Sequence, residues 1–149
     1  MKKILTVLLC LVMFCLPLLA ATKDLIKKEV EKDAKSRKFL FVASKGDYYL
    51  YKNNKGFFYL YYGHRILDYL DLYGRCKAIS KEEISKNMKN SSSSSKIIEG
   101  DYTVYEVYMG FLKDTYYYVK TPKGNFYSVS DKIKKININN GSDDLINDL

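Results

Sequence analysis

The chain has 149 residues, with 25 basic against 17 acidic side chains for a net charge of +8, fifteen tyrosines, no tryptophan, three cysteines and one histidine. So few histidines and cysteines argue against a zinc centre, which takes three or four such ligands. The three scattered arginines, Arg37, Arg65 and Arg75, lack the clustering of a sequence-specific nucleic-acid reader.

Residues 1–20 read as a signal peptide. Lys2 and Lys3 form a positive start, Ile4 to Ala21 is apolar apart from Thr6, Pro17 breaks the run, and small residues follow at Ala20 and Ala21; this is the layout of a secretory leader. The stretch before Pro17 is too short to span a bilayer, which takes about 20 apolar residues. The chain is therefore expected to be exported, periplasmic or extracellular, with no stable transmembrane anchor once the leader is cut after Ala20 or Ala21. About 128 residues then remain, the size of one ordinary domain that can bury a core without disulfide staples. Two cysteines leave with the leader, so Cys76 stays as a lone thiol and is expected to be buried. Losing Lys2 and Lys3 leaves 23 basic against 17 acidic residues, a net charge of +6.

Lys23 to Lys38 is expected to be helical, with Ile26, Val30 and Ala34 spaced four apart among charged residues. A three-stranded meander follows: Phe39 to Ala43, Tyr48 to Lys52 and Phe57 to Tyr62. Gly63 to Lys77 matches a helical face through Ile66, Leu67, Tyr69, Leu70 and Tyr73, with a strand as the alternative. Ser80-Lys81-Glu82-Glu83 is a capping box that opens a short helix to about Met88. Asn90 and Ser91 to Ser95 read as a linker, Tyr102 to Met109 as a strand, Lys132 to Asn139 as a last strand, and residues 140–149 as a flexible acidic tail. The expected fold is one α+β domain over 21–149, an antiparallel sheet built from two αβββ-like halves (about 23–79 and 80–139) with helices on one side.

The halves share a motif. Tyr48-Tyr49-Leu50-Tyr51-Lys52-Asn53-Asn54-Lys55-Gly56-Phe57-Phe58-Tyr59 recurs 68 residues later as Tyr116-Tyr117-Tyr118-Val119-Lys120-Thr121-Pro122-Lys123-Gly124-Asn125-Phe126-Tyr127, identical at seven of twelve positions. Such a period marks a duplicated supersecondary unit. Both copies read as hairpins closed by a type I turn with glycine in a left-handed conformation. If the last lysine of the first strand pairs with the residue after the glycine, Tyr49, Tyr51, Phe58 and Leu60 share a core face, as do Tyr117, Val119 and Phe126. The opposite face then carries Tyr48, Lys52, Tyr59 and Tyr61, and in the second copy Tyr116, Tyr118, Lys120 and Tyr127. Tyrosine interleaved with lysine on a rigid sheet makes a contact surface of large apolar area at low entropic cost. The same residues also serve simply as strand formers.

Catalytic constellations are sparse. Any histidine-based triad must use His64, and no nucleophile motif lies near it in sequence. Asp68/Asp71, Glu82/Glu83 and Asp143/Asp144 are adjacent or helix-spaced acids, not acids placed across a cleft. Asn137-x-Asn139-x-Gly141 with Asp148 has the wrong glycine position and too few carboxylates for a calcium loop. No Gly-rich phosphate loop is present, so no cofactor and no metal is expected.

Val104-Tyr105-Glu106-Val107-Tyr108 followed by Tyr116 to Phe126 resembles the βββ part of PepSY-type and β-lactamase-inhibitor-like periplasmic modules over about a third of the chain, with Thr121 where those families carry an acid. The resemblance implies a non-catalytic protein that binds or inhibits another exported protein through its sheet; it transfers no binding residue. The expected function is thus an exported binding module acting through the Tyr/Lys face. The alternatives are an envelope protein that holds an anionic polymer or glycan and, below it, a small hydrolase.

Overall fold

The computed structural model describes residues 2–64, 69–129 and 132–138. Helix α1 (Lys2–Ser36) is followed by β1 (Leu40–Lys45), β2 (Tyr48–Lys52), β3 (Phe58–His64), β4 (Tyr69–Tyr73) and β5 (Lys77–Ile79). Helix α2 (Lys81–Lys89) then precedes β6 (Ser93–Ile98), β7 (Thr103–Met109), β8 (Asp114–Lys120), β9 (Phe126–Val129) and β10 (Lys132–Asn137). The protein is α+β, with two antiparallel five-stranded sheets. The first runs β1-β2-β3-β4-β10 and the second β5-β9-β8-β7-β6. No helix of the described residues is long and apolar enough to cross a membrane.

One segment left open between helix and strand is decided, and one differs from expectation. Tyr69–Tyr73 is a strand, because its alternation buries Leu70 and Leu72 on one face and Asp71 on the other, between β3 and β10. Ser93–Ser95, expected in a linker, begin β6, where they pair with Glu106 to Tyr108 of β7; a neighbouring strand supplies hydrogen bonds that serine propensity does not forecast. Arg65 to Asp68, Asn139 of the calcium-loop pattern and the acidic tail lie outside the described residues.

Helix ends follow their local chemistry. At the end of α1, Lys38 takes φ 59°, while its N–H donates to Lys35 O (3.1 Å) and the Phe39 N–H to Ala34 O (2.8 Å). These bonds satisfy carbonyls the last turn would leave open. At the start of α2, the Ser80 hydroxyl accepts from the Glu83 N–H at 3.2 Å, half of the expected capping box.

The two hairpin copies have matching registers. Lys52 lies opposite Phe58 in the first and Lys120 opposite Phe126 in the second, one residue beyond the expected pairing. The reason is the turn. Gly56 and Gly124 take φ 82° and 83°, the left-handed region that favours glycine. Gly56 N donates to Asn53 O (3.1 Å) and Asn53 N to Phe57 O (3.0 Å); Gly124 N donates to Thr121 O (2.9 Å) and Thr121 N to Asn125 O (2.9 Å). The glycine is thus the unpaired bulge residue of a three-residue loop, and pairing resumes one position later. A one-residue shift turns a strand's side chains to the other face.

The layers follow from that register. Ile26, Val30 and Ala34 of α1 pack on Tyr49, Tyr51, Tyr59, Tyr61, Leu70, Leu72 and Ile136, the outer face of the first sheet. Leu50, Phe58 and Leu60 on its inner face meet Ile98, Val104, Tyr117, Val119 and Val129 of the second sheet. Ile84 of α2 covers Val107, Met109 and Tyr118 on the far side. The order is helix, sheet, sheet, helix. Positions equivalent by the 68-residue period point the same way: Tyr49 and Tyr51 face α1, whereas Tyr117 and Val119 face the first sheet. The chain crosses between sheets through residues 74–76, and β10 returns to the first sheet beside β4.

One hydrogen bond ties α1 to its sheet, and an ion pair at the helix end braces its acceptor. The Tyr61 hydroxyl donates to Asp33 Oδ2 at 2.6 Å, and Arg37 Nε donates to the same oxygen at 3.0 Å. Gly63 lies under the helix, where an added Cβ would collide with Ile26 Cγ2. Gly63→Ala is expected to lower unfolding free energy by about 1–3 kcal/mol through overpacking, read as an earlier urea midpoint with the slope unchanged.

Candidate functional site

The eight residues expected to form one Tyr/Lys face are divided among three interfaces. Tyr59 and Tyr61 are buried under α1. Tyr116 and Tyr118 pack toward α2, and Tyr118 accepts from Asn87 Nδ2 at 2.9 Å. Lys120 shares that side, with its ammonium 5.8 Å from the centroid of the Phe126 ring. Tyr48 lies between the sheets, and Lys52 ends β2 half-buried. Tyr127, also between the sheets, packs on Phe58 with ring centroids 5.3 Å apart. The expected common face does not form: the one-residue register shift turns Tyr59, Tyr61 and Tyr127 away from their expected face, and the two hairpins lie in different sheets. The expected core set is likewise divided: Tyr49 and Tyr51 face α1, Phe58 and Leu60 face the second sheet, and Phe126 lies toward α2.

The structure instead gathers a polar aromatic cluster between the sheets. Tyr48 donates from its hydroxyl to Glu106 Oε2 at 2.9 Å and stacks on Tyr62 with centroids 4.6 Å apart. The Tyr117 ring packs against those of Tyr73 and Tyr48, with centroids 4.9 and 6.3 Å away. His64 Nε2 contacts Asp71 Oδ2 across β3 and β4, and the Tyr62 ring meets the imidazole edge-on. His64 and Asp71, separate candidates in the sequence, thus come together.

The protonation chemistry of this region favours packing over reaction. Burial, joined by Glu106, drives the Tyr48 phenol well above its ordinary value. Burial does the same at Tyr117 and Tyr73, and burial with the adjacent Asp33 carboxylate at Tyr61. Such phenols stay neutral donors. Cys76 is buried, and burial pushes its thiol up to about 12; its Sγ donates to Phe58 O at 3.4 Å. A nucleophile must be activated by a nearby base or a depressed pKa, and these groups move the other way. No group of three or more His, Cys, Asp or Glu side chains among the described residues is arranged to hold a metal ion.

The concave feature with charged, accessible walls lies elsewhere, at the corner where the chain leaves the first sheet for the second. A cavity of about 730 Å³ is lined by Lys55, Gly56 and Phe57 of the β2–β3 turn, by Arg75, Cys76, Lys77 and Ala78, and by Tyr127 of β9. Lys55, Arg75 and Lys77 are exposed, while Phe57 and Tyr127 are half-buried. The guanidinium carbon of Arg75 sits 4.6 Å from the Phe57 ring centroid, a cation–π contact that holds the charge at the wall. Of the described residues, three cations and no carboxylate line the cavity. Of the expected site residues, Tyr127 alone reaches it. The sequence signal for the others was Arg75-Cys76-Lys77 beside Lys55-Gly56-Phe57, two basic–aromatic fragments that only the fold joins.

Comparison of the chain with family models, with curated proteins and with solved structures finds no match.

Two outcomes follow from the buried phenols and thiol. Tyr48, Tyr61, Tyr73 and Tyr117 hold their protons more tightly folded than unfolded, where the ordinary value is 10.0. Their contribution to stability is therefore present in full below pH 10 and is lost as the pH rises beyond it. Urea midpoints should fall above pH 10, with phenolate absorbance near 295 nm lagging that of the unfolded chain. Cys76 should resist a thiol reagent at pH 8 in the native protein and react when the protein is unfolded.

Proposed function

We propose that this protein is an exported, non-catalytic binding module, and that its ligand enters the cation-lined cavity between the β2–β3 turn and β5. The leader-like first 20 residues support the exported reading. The broad sheet faces are largely given to packing, against α1, α2 and the opposing sheet. The observation that carries the proposal is the cavity: three cations and two aromatic rings, and no carboxylate among the described residues that line it. That chemistry selects an anionic ligand, by charge at the rim and apolar contact at the floor. A non-catalytic role agrees with the neutral phenols and inert thiol, and with what the resemblance to PepSY-type modules implies. His64–Asp71 supplies a base and its orienter, but among the described residues no hydroxyl or thiol nucleophile is recorded in contact with the imidazole.

The test is capture from envelope and secreted fractions by the immobilised protein, beside a Lys55→Glu/Lys77→Glu double variant. Both lysines are exposed, so the variant should melt like the wild type. The wild type is expected to retain an acidic component that the variant loses, with retention weakening as salt rises. Equal capture by the two proteins would remove the cavity from the proposal.

A further inference from the structure

The cavity has a neighbour, and together they flank an edge strand. A second cavity of about 490 Å³ is lined by Ala78 to Glu82 and by Gly124 to Tyr127. The two share Ala78 and Tyr127, which lie opposite each other in the β5–β9 pair. One cavity therefore sits at the start of β5 and the other at its end. β5 is the outermost strand of the second sheet; Lys77 and Ala78 are exposed and Ile79 is half-buried.

We propose that an extended acidic peptide segment of a partner protein docks along β5 as an added strand. The inference rests on the reading of this cavity as the ligand site, and it names the ligand. Three observations carry it. An edge strand presents outward N–H and C=O groups that a second extended chain can pair with, and no strand among the described residues pairs with the outer side of β5. A strand laid there runs past both cavities, so that its alternate side chains find concave surface on either side of Ala78. Lys55, Arg75 and Lys77 concentrate positive charge at one end, while Lys81 is balanced by Glu82 at the other. The charge asymmetry fixes direction: carboxylates of the segment lie at the Lys77 end and apolar side chains toward Ile79 and Phe126. The edge strand β1 also exposes apolar side chains, Leu40 and Phe41, but no charged cavity adjoins it to specify an occupant.

The experiment is fluorescence anisotropy with labelled peptides and the full chain at about physiological ionic strength. The probe is a short peptide with glutamates in one half and valines in the other. Its controls are the same peptide N-methylated at alternate backbone nitrogens, a lysine–valine counterpart, and an oligogalacturonate of equal charge. Binding by the acidic peptide is expected, weakened about tenfold or more by N-methylation through lost backbone bonds. A similar loss is expected in the Lys55→Glu/Lys77→Glu variant, and no binding by the lysine peptide. N-methylation without effect, or oligogalacturonate binding as tight as the peptide's, overturns strand addition while leaving an anion-binding cavity in place. If neither the acidic peptide nor the oligogalacturonate binds, the peptide proposal and the cavity reading fall together.

Discussion

The glycine that closes each repeated hairpin decides which face every tyrosine takes. Gly56 and Gly124 hold φ near 80°, a conformation costly to other residues, and so place one unpaired residue in each loop. From that one residue comes the pairing of Lys52 with Phe58 and of Lys120 with Phe126. From the pairing come the layers: Tyr49, Tyr51, Tyr59 and Tyr61 under α1, and Leu50, Phe58 and Leu60 against the second sheet. With the glycine paired instead, strand faces would mix and no layer would be continuously apolar.

Register alone does not make a protein core from phenols. Each buried hydroxyl carries a desolvation cost unless it is bonded, and the structure meets this locally. Tyr61 is bonded to Asp33, Tyr48 to Glu106, and Tyr118 to Asn87. These bonds join α1 to the first sheet, the first sheet to the second, and the second sheet to α2. The polar atoms of the tyrosines therefore do between layers what their rings do within them. The same burial that makes them good fasteners raises their pKa values and keeps them from acid–base work at neutral pH.

With its sheet faces largely packed, the proposed recognition chemistry falls at an edge and a corner. The chain leaves the first sheet at Tyr73 and enters the second at Lys77, and this crossing carries Arg75 and Lys77 to the β2–β3 turn, where Lys55 and Phe57 wait. The turn that fixes the register and the crossing that joins the sheets meet at one concave spot. Its backbone walls are set by these two constrained segments, and Arg75 is held against Phe57.

The sequence by itself determined the α+β class, the repeated hairpin, the capped start of α2 and the Ile26–Val30–Ala34 stripe of α1, because helix spacing, capping and turn chemistry act over a few residues. It also determined that Cys76, on its own, would be buried. The tertiary structure decided the rest. Tyr69–Tyr73 became a strand because β3 and β10 lie on either side of it, and Ser93–Ser95 became one because β7 does. Tyrosine faces depended on a single unpaired residue, which the turn motif contained but local spacing misassigned. The cavity joins Lys55 and Phe57 to Arg75 and Lys77, and all of them to Tyr127, 50 or more residues further along. No local pattern brings such positions together; only the packing of one sheet on the other does.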